Sequence, residues 1–300
     1  MPQTFSVSAK ADGGEFVDGD SAALAWDVLR RTADHQTADV IDLSHCPHLK
    51  PYAIACLCGL AELARADRRP TRIVPPIDAG CAAHLARLGV PAFFEPEGWG
   101  AEPAWGTNVA VRRVTWPPGN EGERIVEVLS SRAELPAGVF PNMVELLDEI
   151  IRNALTHAES PIECIVAGQA FPHTQKVEVA VLDLGQTILG HLTKNPRHAG
   201  VRTHREAIFR ALEDGVTGTP DGQRNRRGEQ NSGAGLSALR AYCESGGGEL
   251  TVLSGDVWVT SSQTRPPVIG TLYRPFRGCL VNIRYFTHGN LTPLDVEPIL

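Results

Sequence analysis

Apolar residues in the first hundred positions alternate between short runs and longer stretches at helical spacing. The short runs predict strands, and the longer segments, which follow Asp or open on Pro, predict helices. The predicted strands are 4–9, 38–43 and 71–74, and the predicted helices are 21–31, 51–66 and 79–88. This order, β, α, β, α, β, α, predicts an α/β sheet covered by helices.

The clearest pattern in the rest of the chain is 146–158, LLDEIIRNALTHA, whose apolar positions recur at helical spacing and predict a helix with one apolar face. The alternating runs 162–167 and 176–182 predict an antiparallel hairpin. Weaker patterns predict strands at 108–115 and 278–284, a strand beginning near 249, and helices at 123–131, 203–213 and 237–244.

The segment 95–106 is rich in Gly, Pro and Trp, which predicts a linker between two domains. A length of 300 residues is also typical of about two domains. We therefore expect one domain over 1–100, a linker and first strand over 101–122, a second domain over 123–286 and a tail over 287–300.

Charge and hydropathy narrow the function classes. A net charge of -7 argues against a chain-wide nucleic-acid surface, which is normally basic. No apolar run approaches the ~18 residues of a membrane span, and the first residues carry no secretory pattern. Seven scattered cysteines without a C-x-x-C pair predict buried, reduced thiols, and the histidine spacings match no metal motif. These features predict a cytoplasmic protein without a membrane partner.

Glu149 and Asn153 are four residues apart on the predicted 146–158 helix and therefore project side by side. A carboxylate in this position can accept a proton from water or a hydroxyl group. A neighbouring amide oxygen can hold a divalent cation that carries phosphates. An amphipathic helix with an exposed polar stripe is the structural alternative.

This pair resembles the N box, E-x-x-x-N, of the GHKL ATPase superfamily, which includes gyrase B, histidine kinases and anti-sigma-factor kinases. The ending Asn153-Ala-Leu-Thr-His157-Ala is similar to the anti-sigma-factor-kinase branch. Asp183 and Gly185, at the end of a predicted strand, match the family's G1 box, D-x-G-x-G, whose Asp binds the adenine amino group. Thr187 stands where the family has its second glycine.

The stretch 189–231 has the length of the family's ATP lid. It contains the predicted helix 203–213 and is polar and turn-rich over 221–231, with arginines at 224, 226 and 227. The sequence Gly233-Ala-Gly235-Leu236 then resembles the G2 box, which cradles phosphate. Cys279 stands where the family has a threonine near the adenine. The resemblance implies a Bergerat α/β sandwich with helices on one face of a mixed sheet.

The first hundred residues resemble a STAS domain, the fold of anti-sigma-factor antagonists, in their order of strands and helices. The family's phosphorylated serine lies in the loop after a strand, and Ser44 is the nearest hydroxyl here. Ser44 lies earlier than the family pattern expects, so a strand-end cap is the interpretation we favour over a phosphorylation site.

Together the resemblances imply a regulatory protein that binds ATP and Mg²⁺ under a lid. Asn153 would hold the metal, Glu149 would be the catalytic base, and Asp183 would bind adenine. The remaining residues implied at the nucleotide are Gly185, Thr187, Gly233, Gly235, Leu236 and Cys279. A serine/threonine kinase or ATPase with a sigma-factor-pathway partner, a catalytically weak nucleotide-gated interaction module, and a homodimer stay open.

Overall fold

The computed structural model describes residues 4–6, 40–46, 48–69, 71–94, 108–131, 139–220, 235–245 and 248–286. The predicted helix 21–31, the linker at 95–106 and the tail at 287–300 lie outside these residues. Within them, the chain has mixed α and β structure, as predicted.

The N-terminal strands form a three-stranded parallel sheet in the order β1-β2-β3. Its strands are β1 (Thr4–Ser6), β2 (Val40–Asp42) and β3 (Arg72–Val74). Helix α1 (Pro51–Ala66) begins and ends where the sequence predicts, and α2 (Ala79–Arg87) is followed by a 3-10 helix at Val90–Phe93. The predicted α/β alternation is confirmed for these elements.

The second sheet has five strands in the order β4-β5-β6-β8-β7. The strands are β4 (Asn108–Val114), β5 (Cys164–Phe171), β6 (Lys176–Asp183), β7 (Glu249–Ser262) and β8 (Val268–Phe286). All four pairings are antiparallel, so the prediction of a mixed sheet was wrong. The physical reason is that β5–β6 and β7–β8 are hairpins, and β8 pairs with β6 in the opposite direction.

Helices of the C-terminal part cover one face of this sheet, as predicted. They are α3 (Glu121–Ser130), α4 (Val139–His157), α5 (Ile188–Leu192), α6 (His204–Ala211) and α7 (Gly235–Ser245). Their apolar residues share a core with alternate residues of the strands, such as Val179, Val181 and Val281. The side chains between these residues point to the other face, because successive strand residues alternate.

That other face is covered by α1. Residues Ile54, Leu57 and Leu60 of α1 are fully buried in one core with Leu182 and Leu280 of the five-stranded sheet. Helix α1 is apolar nearly all round because it lies between the small sheet and the large one. The N-terminal and C-terminal parts of the chain therefore share a hydrophobic core.

Two further features differ from or extend the sequence pattern. The final strand begins at Val268 rather than near 278, because its first half pairs with Val257–Thr260 in a long hairpin. The Pro-containing stretch before it forms only the hairpin turn. No helix in the described part of the chain is both long and apolar enough to cross a bilayer.

Candidate functional site

A cavity of about 130 Å³ lies where α4, the end of β6, α5, the start of α7 and β8 meet. Its size is close to the ~150 Å³ of a protein cavity that holds a single aromatic ring. Six of the predicted site residues line it: Asn153, Asp183, Thr187, Gly235, Leu236 and Cys279. They come from four separate stretches of the chain, at 153, 183–187, 235–236 and 279, so the fold brings them together.

Asp183 is the last residue of β6 and is only 4% exposed. Its carboxylate accepts hydrogen bonds from the backbone N–H groups of Gly185, at 3.0 Å, and Cys279. Burial nevertheless raises the pKa of Asp183 to about 7, and the two N–H groups oppose that rise. A buried carboxylate at an apolar cavity is suited to accept a hydrogen bond from a ligand donor.

Gly185 does not line the cavity, but it fixes the position of Asp183. A Cβ at Gly185 would overlap the backbone carbonyl of Ala158, just after α4. The next residue, Gln186, donates its backbone N–H to that carbonyl at 2.6 Å and its side-chain amide to the His157 carbonyl. The glycine therefore lets the end of β6 pass directly against the end of α4.

Thr187 takes the place of the family's second glycine without backbone strain. Its φ of -74° and ψ of 163° are open to any residue, and it is the N-cap of α5. Its hydroxyl accepts the Gly190 N–H at 3.1 Å. The threonine therefore begins a short helix at the wall of the cavity, a role that the motif alone does not indicate.

Cys279 pairs with Asp183 across β8 and β6 and is partly exposed to the cavity. Burial raises the pKa of its thiol, and the nearby Asp183 carboxylate raises it further. A neutral thiol is a weak hydrogen-bond partner, so Cys279 contributes mainly shape to this wall. All seven cysteines are free thiols, and the other six are buried, as predicted.

Glu149 and Asn153 lie side by side on α4, as the sequence predicts. The Asn153 amide nitrogen donates to one Glu149 carboxylate oxygen at 3.3 Å. The other oxygen accepts from Arg152 at 3.2 Å. Because the Asn153 nitrogen faces Glu149, its amide oxygen is the atom on the other branch of the group and is suited to a hard cation.

Gly235, the first residue of α7, lies directly against this pair. A Cβ there would stand 2.8 Å from the Asn153 amide nitrogen and 2.8 Å from the Glu149 Cγ atom. The first turn of a helix carries backbone N–H groups without intrahelical partners. The glycine thus allows a helix N-terminus to approach the carboxylate and amide of α4. Gly233 and arginines 224, 226 and 227 lie outside the described residues.

Two residues at the site, Ser254 and His191, belong to no motif and were not predicted from the sequence. The fully buried Ser254 accepts the Ile188 N–H and donates to the Gly278 carbonyl, both at 2.9 Å, and so ties α5 to the large sheet. His191 also lines the cavity, 4.6 Å from the His157 ring, and burial lowers its pKa to about 3. A single serine in a strand or a single histidine in a short helix does not by itself predict a functional site.

Part of the predicted lid is folded. Helix α6 confirms the helix predicted at 203–213, and Thr203 and Glu206 form a capping box at its start. The buried Asn195 amide donates to the carbonyls of Thr217 and Thr219, both at 3.1 Å. These bonds hold the described end of the segment beside the cavity, where Thr217 lines the wall.

The phosphorylation loop suggested by the STAS resemblance has a simple local structure. The Asp42 carboxylate accepts the Ser44 N–H at 2.9 Å, and the Ser44 carbonyl accepts the Ile77 N–H. The strand-end cap is therefore the Asp42 side chain rather than the Ser44 hydroxyl. Ser44 lies at this loop's partly exposed surface.

No known family model matches the chain, and no curated protein matches it. The functional interpretation therefore depends on the geometry of the site and on the resemblance of its motifs.

Proposed function

We propose that the protein binds Mg-ATP in the cavity beside Asp183 and uses Glu149 to transfer or hydrolyse the terminal phosphate. The observation that carries this proposal is the convergence of three groups on one cavity. They are a buried carboxylate, an amide paired with a second carboxylate, and a helix N-terminus that begins with Gly235.

The adenine end would be the apolar part of the cavity. Asp183 offers only acceptor oxygens when ionised, which suits the exocyclic amino group of a purine. Ile150, Ala154, Ile188 and Val281 line the same cavity and offer apolar contacts to a ring. A ligand that fills the cavity without such a donor would leave the buried carboxylate unpaired, which costs binding energy.

The phosphate end would lie toward α4 and α7. The Asn153 oxygen and the phosphates would hold Mg²⁺, whose bound charge would offset the negative charge of the triphosphate. The N-terminus of α7 supports phosphate binding through its backbone N–H groups and helix dipole. Gly235 and Asn153 line the same cavity, and the close packing of Gly235 against Glu149 and Asn153 supports this assignment.

In the chemical step, Glu149 would accept the proton of a water molecule or a serine/threonine hydroxyl. The oxygen would then form a bond to the γ-phosphorus while the bond between that phosphorus and the bridging oxygen breaks, and ADP would leave. With a protein hydroxyl as acceptor, the chain would be a kinase of the anti-sigma-factor type. Its partner would be a regulatory protein. The chain itself would consist of a GHKL unit joined to a STAS-like unit and would act in the cytoplasm.

The second candidate is a nucleotide-gated interaction module with little turnover. One observation favours it: the Glu149 carboxylate is engaged by both Arg152 and Asn153, so it is not directed at a reacting water or hydroxyl group. The replacements at Thr187 and Cys279, both at the adenine end, also favour it.

Calorimetry and thermal unfolding with ATP and Mg²⁺ test the proposal. At a hundredfold excess over Kd, binding stabilises the folded state by about 2.7 kcal/mol. We expect Glu149→Gln to keep this stabilisation and to lose ADP production, whereas Glu127→Gln, an exposed carboxylate on α3, should change neither. Binding without turnover in the wild-type protein would favour the interaction module. No heat and no shift in Tm with ATP would reject both candidates.

A further inference from the structure

A second cavity, of about 520 Å³, lies outside the nucleotide site, between the first turn of α3 and the outer side of α4. This volume is within the range of ~300–1,000 Å³ that is usual for ligand pockets. We call it the α3–α4 groove. Its lining residues are Glu123, Phe140, Pro141, Val144, Glu145, Asp148, Glu149 and Arg152.

The residues that line the groove are mainly acidic, with apolar side chains among them. Four carboxylates face one guanidinium, that of Arg152, among the residues that line it. Burial and the nearby Glu123 carboxylate raise the pKa of Asp148, although the Gly122 N–H, at 2.7 Å, opposes this. Phe140 and Val144 are partly buried apolar residues of the same wall. A flexible apolar stem with a cationic end matches this combination.

The carboxylates do not form a compact metal-binding group within the described residues. Charge that is spread along a groove complements an extended cationic segment better than a single ion. The occupant that fits this surface is therefore a basic protein segment with a lysine or arginine side chain.

Glu149 connects the groove to the nucleotide site. One of its carboxylate oxygens accepts from Asn153, which lines the nucleotide cavity, and the other accepts from Arg152, which lines the groove. A segment bound in the groove would thus reach the carboxylate that we propose as the base.

The spacing of the acidic residues sets a register. Glu145 and Glu149 are four residues apart on α4, which is a rise of about 6 Å. An extended peptide covers a similar distance, about 6.6 Å, in two residues. We propose that the α3–α4 groove binds a basic segment of a substrate protein, with an Arg or Lys at Glu145 two positions from the hydroxyl presented to Glu149. This inference rests on the proposed kinase function for its hydroxyl, but not for the binding of the cation.

The test uses the full chain and fluorescein-labelled peptides of small neutral residues. One peptide carries an arginine two positions before a serine, and one carries it two positions after. A third carries it five positions away, and a fourth carries glutamate in place of the arginine. Anisotropy without nucleotide should show that an arginine peptide binds about tenfold more tightly than the glutamate peptide. Glu145→Gln should weaken that binding by about fivefold, and Arg152→Gln should strengthen it. The matched control, Glu127→Gln on the exposed side of α3, should change nothing.

Equal binding of the arginine and glutamate peptides, or an unchanged affinity in Glu145→Gln, would overturn the proposal that the groove binds a basic segment. With Mg-ATP present, serine phosphorylation should be faster when the arginine is two positions from the serine than when it is five positions away. Equal rates would overturn the proposed two-residue spacing. Thermal unfolding with ATP, run on the same preparations, reports the nucleotide site separately. Peptide selectivity without an ATP-induced shift would support the groove while rejecting the proposed nucleotide function.

Discussion

Asp183 is a carboxyl group that the fold keeps away from water at a cost in stability. Its pKa is about 7 in the folded protein, against an ordinary value of 3.8. A group whose pKa rises on folding stabilises most when it is protonated, so this contribution is complete below pH 3.8 and is lost as the pH rises through 7. The difference of about three pKa units corresponds to roughly 4 kcal/mol.

Asp183→Asn should therefore stabilise the ligand-free protein at pH 8, because the neutral amide keeps an acceptor for the Gly185 and Cys279 N–H groups and carries no buried charge. Denaturant unfolding at pH 8 and pH 5 should show a gain in the free energy of unfolding that is larger at pH 8. The same variant should lose its thermal response to ATP. If the variant were less stable than the wild-type protein at pH 8, burial of the ionised Asp183 carboxylate would not destabilise the fold as we expect.

Nucleotide binding should also release protons through Asp183. A ligand amino group that donates to this carboxylate favours its ionised form and lowers its pKa. At pH 7, near the ligand-free pKa, about half a proton should leave for each ATP bound. Calorimetry in two buffers of different ionisation enthalpy measures this number. An observed heat that is independent of the buffer would mean that the ligand does not contact Asp183.

At the scale of elements, the approach of α7 to α4 shapes the part of the site where we propose that phosphate binds. Gly235→Ala would place a Cβ within 2.8 Å of the Asn153 amide and force α7 away from α4. We expect at least a tenfold loss of ATP affinity and a cost in stability of about 1–3 kcal/mol. Gly200→Ala is the matched control, since a Cβ there meets no atom within 4 Å. Equal ATP affinity in both variants would show that α7 takes no part in binding.

The elements that the sequence predicted well are those with a single strong period. Helix α4 and the β5–β6 hairpin have regular apolar spacing, and both form where the sequence predicts them. Their bounds differ, since α4 begins at Val139 rather than at 146, and β5 runs on to Phe171 rather than ending at 167. The first half of β8 was missed because Gly270, Pro275 and Gly278 interrupt its alternation. Strand pairing with β7 overrides this weak local pattern, since the ladder bonds and cross-strand contacts are non-local.

The same difference applies to the candidate site. Asn153, Asp183 and Gly235 belong to local motifs, so their types and spacing were readable from the sequence. The hydroxyl of Ser254 and the ring of His191 reach the site only through tertiary packing, and no neighbour in sequence indicates it. The need for a glycine at position 185 could likewise not be predicted, because the carbonyl that a Cβ would overlap there belongs to Ala158, just after α4.

At the scale of the whole molecule, α1 joins the N-terminal part of the chain to the sheet that carries Asp183. The Glu62 side chain, 4% exposed, forms ion pairs with Arg65 on α1 and, at 3.2 Å, with Arg113 on β4. The larger contribution is apolar, because the α1 residues and one face of the sheet form a single buried cluster. Shared burial of this kind couples the unfolding of the two parts.

Leu57→Ala tests this coupling in the intact chain. Leu57 is fully buried in the cluster that α1 shares with the large sheet, so its truncation leaves a cavity and should cost about 2–5 kcal/mol. Because the core is shared, unfolding followed by tryptophan fluorescence, to which Trp258 of the same cluster contributes, and by far-ultraviolet circular dichroism should shift together in one transition. Ile77→Ala removes a similar volume from a side chain that is 74% exposed and should change little. Two separate transitions in Leu57→Ala, with the second at its wild-type midpoint, would show instead that the large sheet and its candidate site fold without α1.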